Sequence, residues 1–316
     1  MSKKRTQTPE LEVHLLREGI VESIHRVHAL VCDDRGRILS FAGHCETASF
    51  IRSALKPFQA LPTIKSGALE HFQLTDKDLA IICSSHQGTV PQARQAFNIL
   101  WRADIDPNAL QCPIPAGKSS SLQNTCSGKH AGMLAVCQQY GWPLNSYLRH
   151  HSAIQELILN TVGEILQMPG AEFIGVQDDC GVPTYYMQLS QMATLFAYLS
   201  SGADLYLERV SRAMTHYPEL VAGEGAFDTE LMKASNGNIV AKSGAEGVQC
   251  MGRIGEGMGL AIKSLDGSKR AKYAVAIHLL MQMGWISPAV SDNLAEKFLT
   301  LDEHKRLEVV GELTLV

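Results

Sequence analysis

Segments with strand character occupy the two ends of this 316-residue chain, and helical segments fill its middle. Near the start, "VESIHRVHALVCDD" alternates in part and is rich in β-branched residues, which predicts a strand. "DDRGR" reads as a turn and "ILSFAG" as the returning strand of a hairpin. Near the end, "NGNIVAKSG" predicts a turn and a strand, "VQCMGRIGEGMGLAIKSLDGS" two strands joined at glycines, and "LEVVGELTLV" a last strand. Between them, residues 53–70, "VPQARQAFNILWRA" with Pro91 in its first turn, and "GKHAGMLAVCQQYG" stopped at Gly141 carry helical spacing. "SYLRHHSAIQELILNTVGEILQM" predicts a long amphipathic helix, "EFIGVQ" a short strand, and "PTYYMQLSQMATLFAYLS" a buried helix. Late strands that pair with the early hairpin close one sheet. The order therefore predicts an α+β fold, an antiparallel sheet beside a mainly helical cluster, and excludes regular βαβ alternation. Residues 1–10 are polar and are expected to form a disordered tail, leaving one domain over 11–316.

A formal net charge of −4 with no basic patch gives no footprint for nucleic acid. "MSKKRTQTPELEV" has no apolar stretch behind its positive start, so it is not a secretory signal. The apolar run "YAVAIHLLMQMGWI" contains His278 and Gln282 and is too short to span a bilayer. A soluble, cytoplasmic protein with no membrane partner is expected. The 8 cysteines include no C-x-x-C pair, so reduced thiols are expected, with Cys32, Cys83 and Cys137 as small core residues.

The segment "RSALKP" carries the chemistry. A proline at 57 costs little in a first helical turn, where backbone N–H groups have no intrahelical partner. A helix can then begin near Ser53, with Lys56 three residues on and on the same face. Free N–H groups and the positive end of the dipole lie beside such a hydroxyl and can hold a developing oxyanion. S-x-x-K alone is a common accident, and Ser268–Lys272 matches it only with one residue inserted. What raises its weight is Lys242–Ser243–Gly244, at the end of a predicted strand. An S-x-x-K helix start with a K-[ST]-G strand is the signature of serine β-lactamases and penicillin-binding proteins. Their S-D-N element is absent; Ser85, in "CSSHQG", is the candidate for its place. A serine hydroxyl needs a base to become a nucleophile. A free lysine, with a pKa of about 10.4, is almost wholly charged at neutral pH. Burial or a second ammonium nearby favours the neutral amine.

Taken together, "REGIVESIHRVHALV", "RSALKPFQALP", "SSHQG", "NTCSGKHAGML", "DDCGVPTYYMQLSQMA" and "KSGAEG" resemble the L-asparaginase II family, the rhizobial-type, thermolabile group, from about Leu15 to near the C-terminus. The resemblance implies a fold like the serine β-lactamases and β-lactamase-like glutaminases. It implies hydrolysis of L-asparagine to L-aspartate and ammonia through an acyl-enzyme. It carries over two Ser–Lys tandems, Ser53 with Lys56 and Ser85 with Lys242, with Ser53 taken as nucleophile and Ser85 as the exchangeable alternative. Asp178 is placed near the substrate's α-ammonium, and Arg52 is a candidate for its carboxylate. His86, beside Ser85, is a candidate for lining the site or for packing. The family also implies a metal, often zinc, on Cys126, Lys129 and Cys180, positioning substrate rather than hydrolysing it. Spacing alone would instead pair Cys126 with His130, and lysine is not a usual zinc ligand. A homodimer is expected by analogy with other asparaginases. A glutaminase-like or β-lactam-processing amidase, or a non-catalytic amino-acid binder, would present the same residues.

Overall fold

The early and late strands do find each other. In the computed structural model, which describes residues 6–316, the chain gathers into two units. One holds the residues up to Ala54, Met187–Gly202 and Glu230–Val316; the other holds Leu55–Tyr186 and Ala203–Thr229. The division follows from the contacts: the terminal strands pair among themselves, and the middle helices pack among themselves. Of the tail expected over 1–10, residues 1–5 lie outside the described residues, and 6–10 are held. Thr8 is buried, its N–H bonds the Gly43 carbonyl at 3.0 Å, and Gln7 bridges His44.

The first unit is built on a nine-stranded antiparallel sheet. Seven strands run in the order Thr300–Asp302, Lys305–Val310, Leu11–Arg17, Ile20–Asp33, Met258–Ser264, Val248–Arg253 and Ile239–Ser243; Ile38–Ala42 also pairs with Ile20–Asp33, and Thr314–Leu315 with Ile38–Ala42. Val27 faces Ser264 and Asp33 faces Met258, so the early hairpin and the late strands share one register. Leu11, Val13 and Leu15 alternate inward along the first strand. Val248–Arg253 and Met258–Ser264 are buried almost throughout, as strands covered on both faces must be, and the helices Leu189–Ser200 and Lys269–Gln282 pack on them. The fold is α+β, as expected. The sheet ends at Ile239–Ser243, the strand that carries Lys242.

The second unit is mainly helical. Asp76–Ile82 begins at a capping box in which Asp78 accepts the Thr75 N–H at 2.7 Å. Val90–Arg102 begins the same way at Thr89, and Ser127–Tyr140 stops at Gly141 with φ 64°. Two expectations change. The helix drawn over 146–168 is only Ala153–Leu166, because Ser152 Oγ and Gln155 Nε2 both bond the Tyr147 carbonyl and fold the preceding residues into turns. "PTYYMQ" is a strand, Pro183–Gln188, paired antiparallel with Ile174–Gln177, and the helix starts only at Leu189. Among the described residues no helix is long and apolar enough to cross a membrane.

One contact decides where Ser127–Tyr140 lies. A Cβ on Gly128 would come 1.9 Å from the Ile81 carbonyl oxygen, so only glycine lets this helix sit on the end of Asp76–Ile82. In an unconstrained helix Gly→Ala is stabilising. Here Gly128→Ala is expected to destabilise by about 3 kcal/mol, as overpacking against backbone does. Urea unfolding of the variant beside wild type reads this directly, and a gain in stability would show that the contact is loose.

Candidate active site

The Gly128 contact brings the start of one helix to the end of another, and the reactive side chains of the second unit collect there. Lys56 is fully buried in the first turn of the short helix Lys56–Gln59, with Pro57 tolerated in that turn. Its Nζ donates to the Ser84 carbonyl at 2.5 Å and to Ser85 Oγ at 3.0 Å. Ser84 and Ser85 follow directly on Asp76–Ile82. The Ser85 N–H is tied to the Val221 carbonyl at 2.7 Å and the His86 N–H to that of Thr125 at 3.2 Å, so the serine hydroxyl is carried on a fixed backbone. The lysine's hydrogen-bonded serine is therefore Ser85, from a distant part of the sequence. Among the described residues the Ser53 hydroxyl has no hydrogen-bond partner.

His86 does not offer its ring to a ligand. It is buried, Nδ1 accepts the Gly88 N–H at 3.0 Å, and Nε2 then donates to Ser127 Oγ at 2.9 Å, which in turn donates to the Leu122 carbonyl. Burial, with Lys56 beside it, pushes its pKa down to about 3. Of its two roles, packing is the one these contacts describe: the ring braces the Ser85 loop against Ser127–Tyr140.

Cys126, Lys129 and Cys180 converge and are all buried. Lys129 Nζ lies 3.2 Å from Cys180 Sγ. The hydrogen bond from Cys180 holds the Cys126 thiol well below the usual range, aided by Lys56 and Lys129 against the cost of burial. Cys180, which keeps the shared proton, is pushed up by that same bond and by burial. For Lys129, burial lowers the pKa, but Cys126, Cys180 and Asp178 more than offset it and the net shift is upward. Two sulfurs, one of them readily ionised, and an amine are a donor set that fits a thiophilic divalent cation. Lys129 would have to give up its proton to bind one. Among the described residues no group of three or more His, Cys, Asp or Glu side chains converges on a metal position, so the lysine would be an obligatory third donor. His130 is turned to other work: its Nδ1 lies 2.7 Å from Tyr147 Oη, which accepts the Gln111 N–H at 2.9 Å. Asp178 accepts its neighbours' N–H groups in the turn before Cys180, beside a cavity of about 400 Å³ lined by Gln111, Gln177 and Asp179 among others.

In the first unit, Arg52 has φ +53°, a left-handed backbone that a long side chain adopts only when its surroundings impose it. It opens the 3-10 turn Arg52–Leu55, which carries Ser53. Gly244 lies against this segment: a Cβ there would come 2.8 Å from the Ile51 carbonyl oxygen. Lys242, fully buried, donates to the Ser243 carbonyl at 3.1 Å, and Ser243 Oγ donates to Gln249 Oε1 at 2.6 Å. Ile51, just before Arg52 and Ser53, and the "KSG" strand end are thus neighbours within the first unit.

With this geometry in place, the family question has a direct answer, since the L-asparaginase II model matches residues 13–315. The chain belongs to the L-asparaginase II family. A search of curated proteins returned no match. Among solved structures, the native form of Mglu aligns with a TM-score of 0.47 at 15% identity, over 83% of this chain and 64% of its own. The chain thus spans under two thirds of that protein's length. A β-lactamase from Mycobacterium bovis gives 0.37 at 12% identity, over 86% of this chain and 95% of its own. EstCE1, a hydrolase with promiscuous acyltransferase activity, gives 0.35 at 11% identity, over 82% and 90%.

The sequence reading missed Ser84, whose carbonyl takes the shortest bond from Lys56, and Ser127 and Tyr147, which brace the two histidines. Backbone acceptors leave no residue-type signature. Ser127 carried a weak one, as a small polar residue at a helix start.

The histidines have a measurable consequence. Burial pushes His130 well below the usual range, as it does His86, with Lys129 and Lys56 adding to it. Between the native value of about 3 for His86 and the ordinary value near 6.5, the unfolded chain binds a proton that the folded chain does not. Stability is therefore whole above pH ~6.5 and falls as pH drops through that window, by up to roughly 1.4 kcal/mol per pH unit for each such histidine. Urea unfolding at pH 7.5, 6 and 5 should show the fall. His86→Asn should flatten it by about one proton, and an unaltered slope in that variant would mean that His86 titrates normally in the fold.

Proposed function

We propose that the chain hydrolyses L-asparagine to L-aspartate and ammonia through a serine acyl-enzyme. The observation that carries this, given the family, is the buried lysine bonded to a serine hydroxyl, Lys56 Nζ to Ser85 Oγ at 3.0 Å. A buried lysine in contact with a serine serves proton transfer, since it can both take a proton and return one. In this mechanism Ser53 attacks the side-chain amide carbon while Lys56 takes its proton. Lys56 passes a proton to Ser85, and Ser85 gives its own to the amide nitrogen, which leaves as ammonia. Water then attacks the β-aspartyl ester, and the proton returns by the same path to Ser53. Helix-start N–H groups hold the oxyanion. Lys242, which the family pairs with Ser85, stays charged, Arg52 takes the substrate carboxylate, and Asp178 its ammonium. A metal, zinc as the family implies, would be held by Cys126, Lys129 and Cys180. When bound it would supply a fixed positive charge for orienting substrate. The bond from Lys56 to Ser85 also supports the exchanged assignment, with Ser85 as nucleophile.

Ammonia release from L-asparagine by wild type, Ser53→Ala, Ser85→Ala and Lys56→Met, with L-glutamine and a β-lactam as rival substrates, tests the reading. Each substitution is expected to lower kcat about 10³-fold or more, as loss of a nucleophile or its base does. A covalent adduct mapped by peptide mass should fall on Ser53; an adduct on Ser85 reverses the roles. Wild type that is faster on glutamine or a β-lactam, or that binds asparagine without releasing ammonia, sinks the asparaginase assignment.

Removal of metal by chelation is expected to raise KM for asparagine more than it lowers kcat, with partial recovery on adding zinc. An unchanged KM in metal-free protein would count against a positioning metal.

A further inference from the structure

The stretched match Ser268–Lys272 turns out to hold a fourth buried lysine. Ser268 caps the helix Lys269–Gln282, its Oγ accepting the Ala271 N–H, and Lys272 lies in the first turn, 1% exposed. Lys272 Nζ donates to the Gly244 carbonyl at 2.7 Å and to the Val248 carbonyl at 2.8 Å, and it lies 5.2 Å from the centre of the Tyr273 ring. Those two carbonyls are the two ends of one turn. Gly244–Val248 joins the strand that carries Lys242 to its neighbour, passing through left-handed Glu246 and Gly247, and the Gly244 N–H itself bonds the Val248 carbonyl at 2.9 Å. One ammonium therefore clamps both ends of the turn to a helix on the sheet.

The placement is costly for a residue that serves only to fill space. A buried ammonium loses its hydration, and at a helix start it faces the positive end of the dipole. An apolar side chain would fill the volume without either cost. What the lysine adds is a fixed position for Gly244. On one side Gly244 is followed back to Ser243, whose carbonyl accepts Lys242 Nζ. On the other it lies against Ile51, two residues before Ser53. The clamp thus bears on both groups that this unit contributes to the proposed reaction.

We infer that Lys272 is a positioning residue, holding the Gly244–Val248 turn so that Lys242 and the Arg52–Ser53 turn keep their places. The inference rests on the roles given above to Ser53 and Lys242. A displacement of about 1 Å at reacting groups lowers rate about 10²-fold with less effect on binding. Lys272→Met, which keeps the length and loses the donors, is compared with Lys272→Arg and with Val275→Ala, a buried position on the same helix with no polar atom to reach the turn. Steady-state asparagine hydrolysis is measured well below the Tm of each variant. Lys272→Met should lose about 10²-fold in kcat with KM within about threefold, Lys272→Arg should recover at least tenfold of that loss, and Val275→Ala should keep kcat within about twofold despite a lower Tm. Lys272→Met with the kcat of Val275→Ala, or Lys272→Arg no better than Lys272→Met, overturns the inference. If Lys272→Met does not fold, Lys272→Gln, a shorter neutral donor, is judged by the same split. If wild type itself releases no ammonia from asparagine, the substrate reading falls, and Lys272 is judged by the rate at which a fluorophosphonate labels Ser53. About 10²-fold slower labelling in the variant supports positioning, and equal rates overturn it.

Discussion

A lysine buried to zero exposure needs acceptors and, whenever it holds an extra proton, a counter-charge, and much of the second unit is arranged to give Lys56 both. The acceptors are the Ser84 carbonyl and Ser85 Oγ. The counter-charge is Cys126, whose thiol is held low first by Cys180 and then by Lys56 and Lys129. None of these groups stands alone. Cys126 is within reach of Lys56 because Ser127–Tyr140 rests on Ile81 at Gly128, and Ser84 and Ser85 come straight off the helix that Ile81 belongs to. Cys126, Lys129, Cys180 and Lys56 are therefore parts of one electrostatic cluster. Replacing the Cys126 charge by a metal–thiolate would change the field at Lys56 as well as at the metal.

The first unit solves a different problem, that of holding a serine on a strained backbone. Arg52 is left-handed, and the surroundings that impose this are visible. Ile51 is buried and lies against Gly244, where any side chain would collide with its carbonyl. Gly244 is held in turn by Lys272 and by Val248. Strain at a functional turn persists only where neighbours over-determine it. Here the over-determination comes from the end strand of the sheet and a buried ammonium.

Much of the fold was legible because its signals are local or repeat with a clean period. The hairpin of Ile20–Asp33 with Ile38–Ala42, the late strands and the Gly141 stop each carry their own signal, and the antiparallel closure followed from their order. "PTYYMQ" was misread because apolar continuity is shared by a buried helix and a buried strand; what makes it a strand is its partner Ile174–Gln177, which periodicity does not reveal. The helix over 146–168 was overdrawn because Tyr147 reads as apolar pattern, whereas its carbonyl is the acceptor that ends the preceding turns. Asp76–Ile82 is too short for its apolar run to show a period, although Thr75 and Asp78 spell its start. At the site, residue types were legible and pairings were not. The S-x-x-K spacing pointed Lys56 at Ser53, while the hydrogen bond goes to Ser85, 29 residues on. Lys272 was set aside because its spacing failed the motif, and spacing has no bearing on a lysine that acts through a turn.

The histidines follow from the same crowding of cations. His86 and His130 sit in the unit that buries Lys56 and Lys129, and a further positive charge there would meet both desolvation and repulsion. Each ring is instead fixed as a neutral linker, His86 between the Gly88 N–H and Ser127, His130 against Tyr147. An imidazole with an ordinary pKa beside a Ser–Lys relay would exchange protons with it near neutral pH and compete for the proton that must reach the leaving nitrogen. Depressing both histidines removes that competition. Their hydrogen bonds then serve geometry alone, which in the proposed mechanism leaves the proton to move between the lysine and the serines.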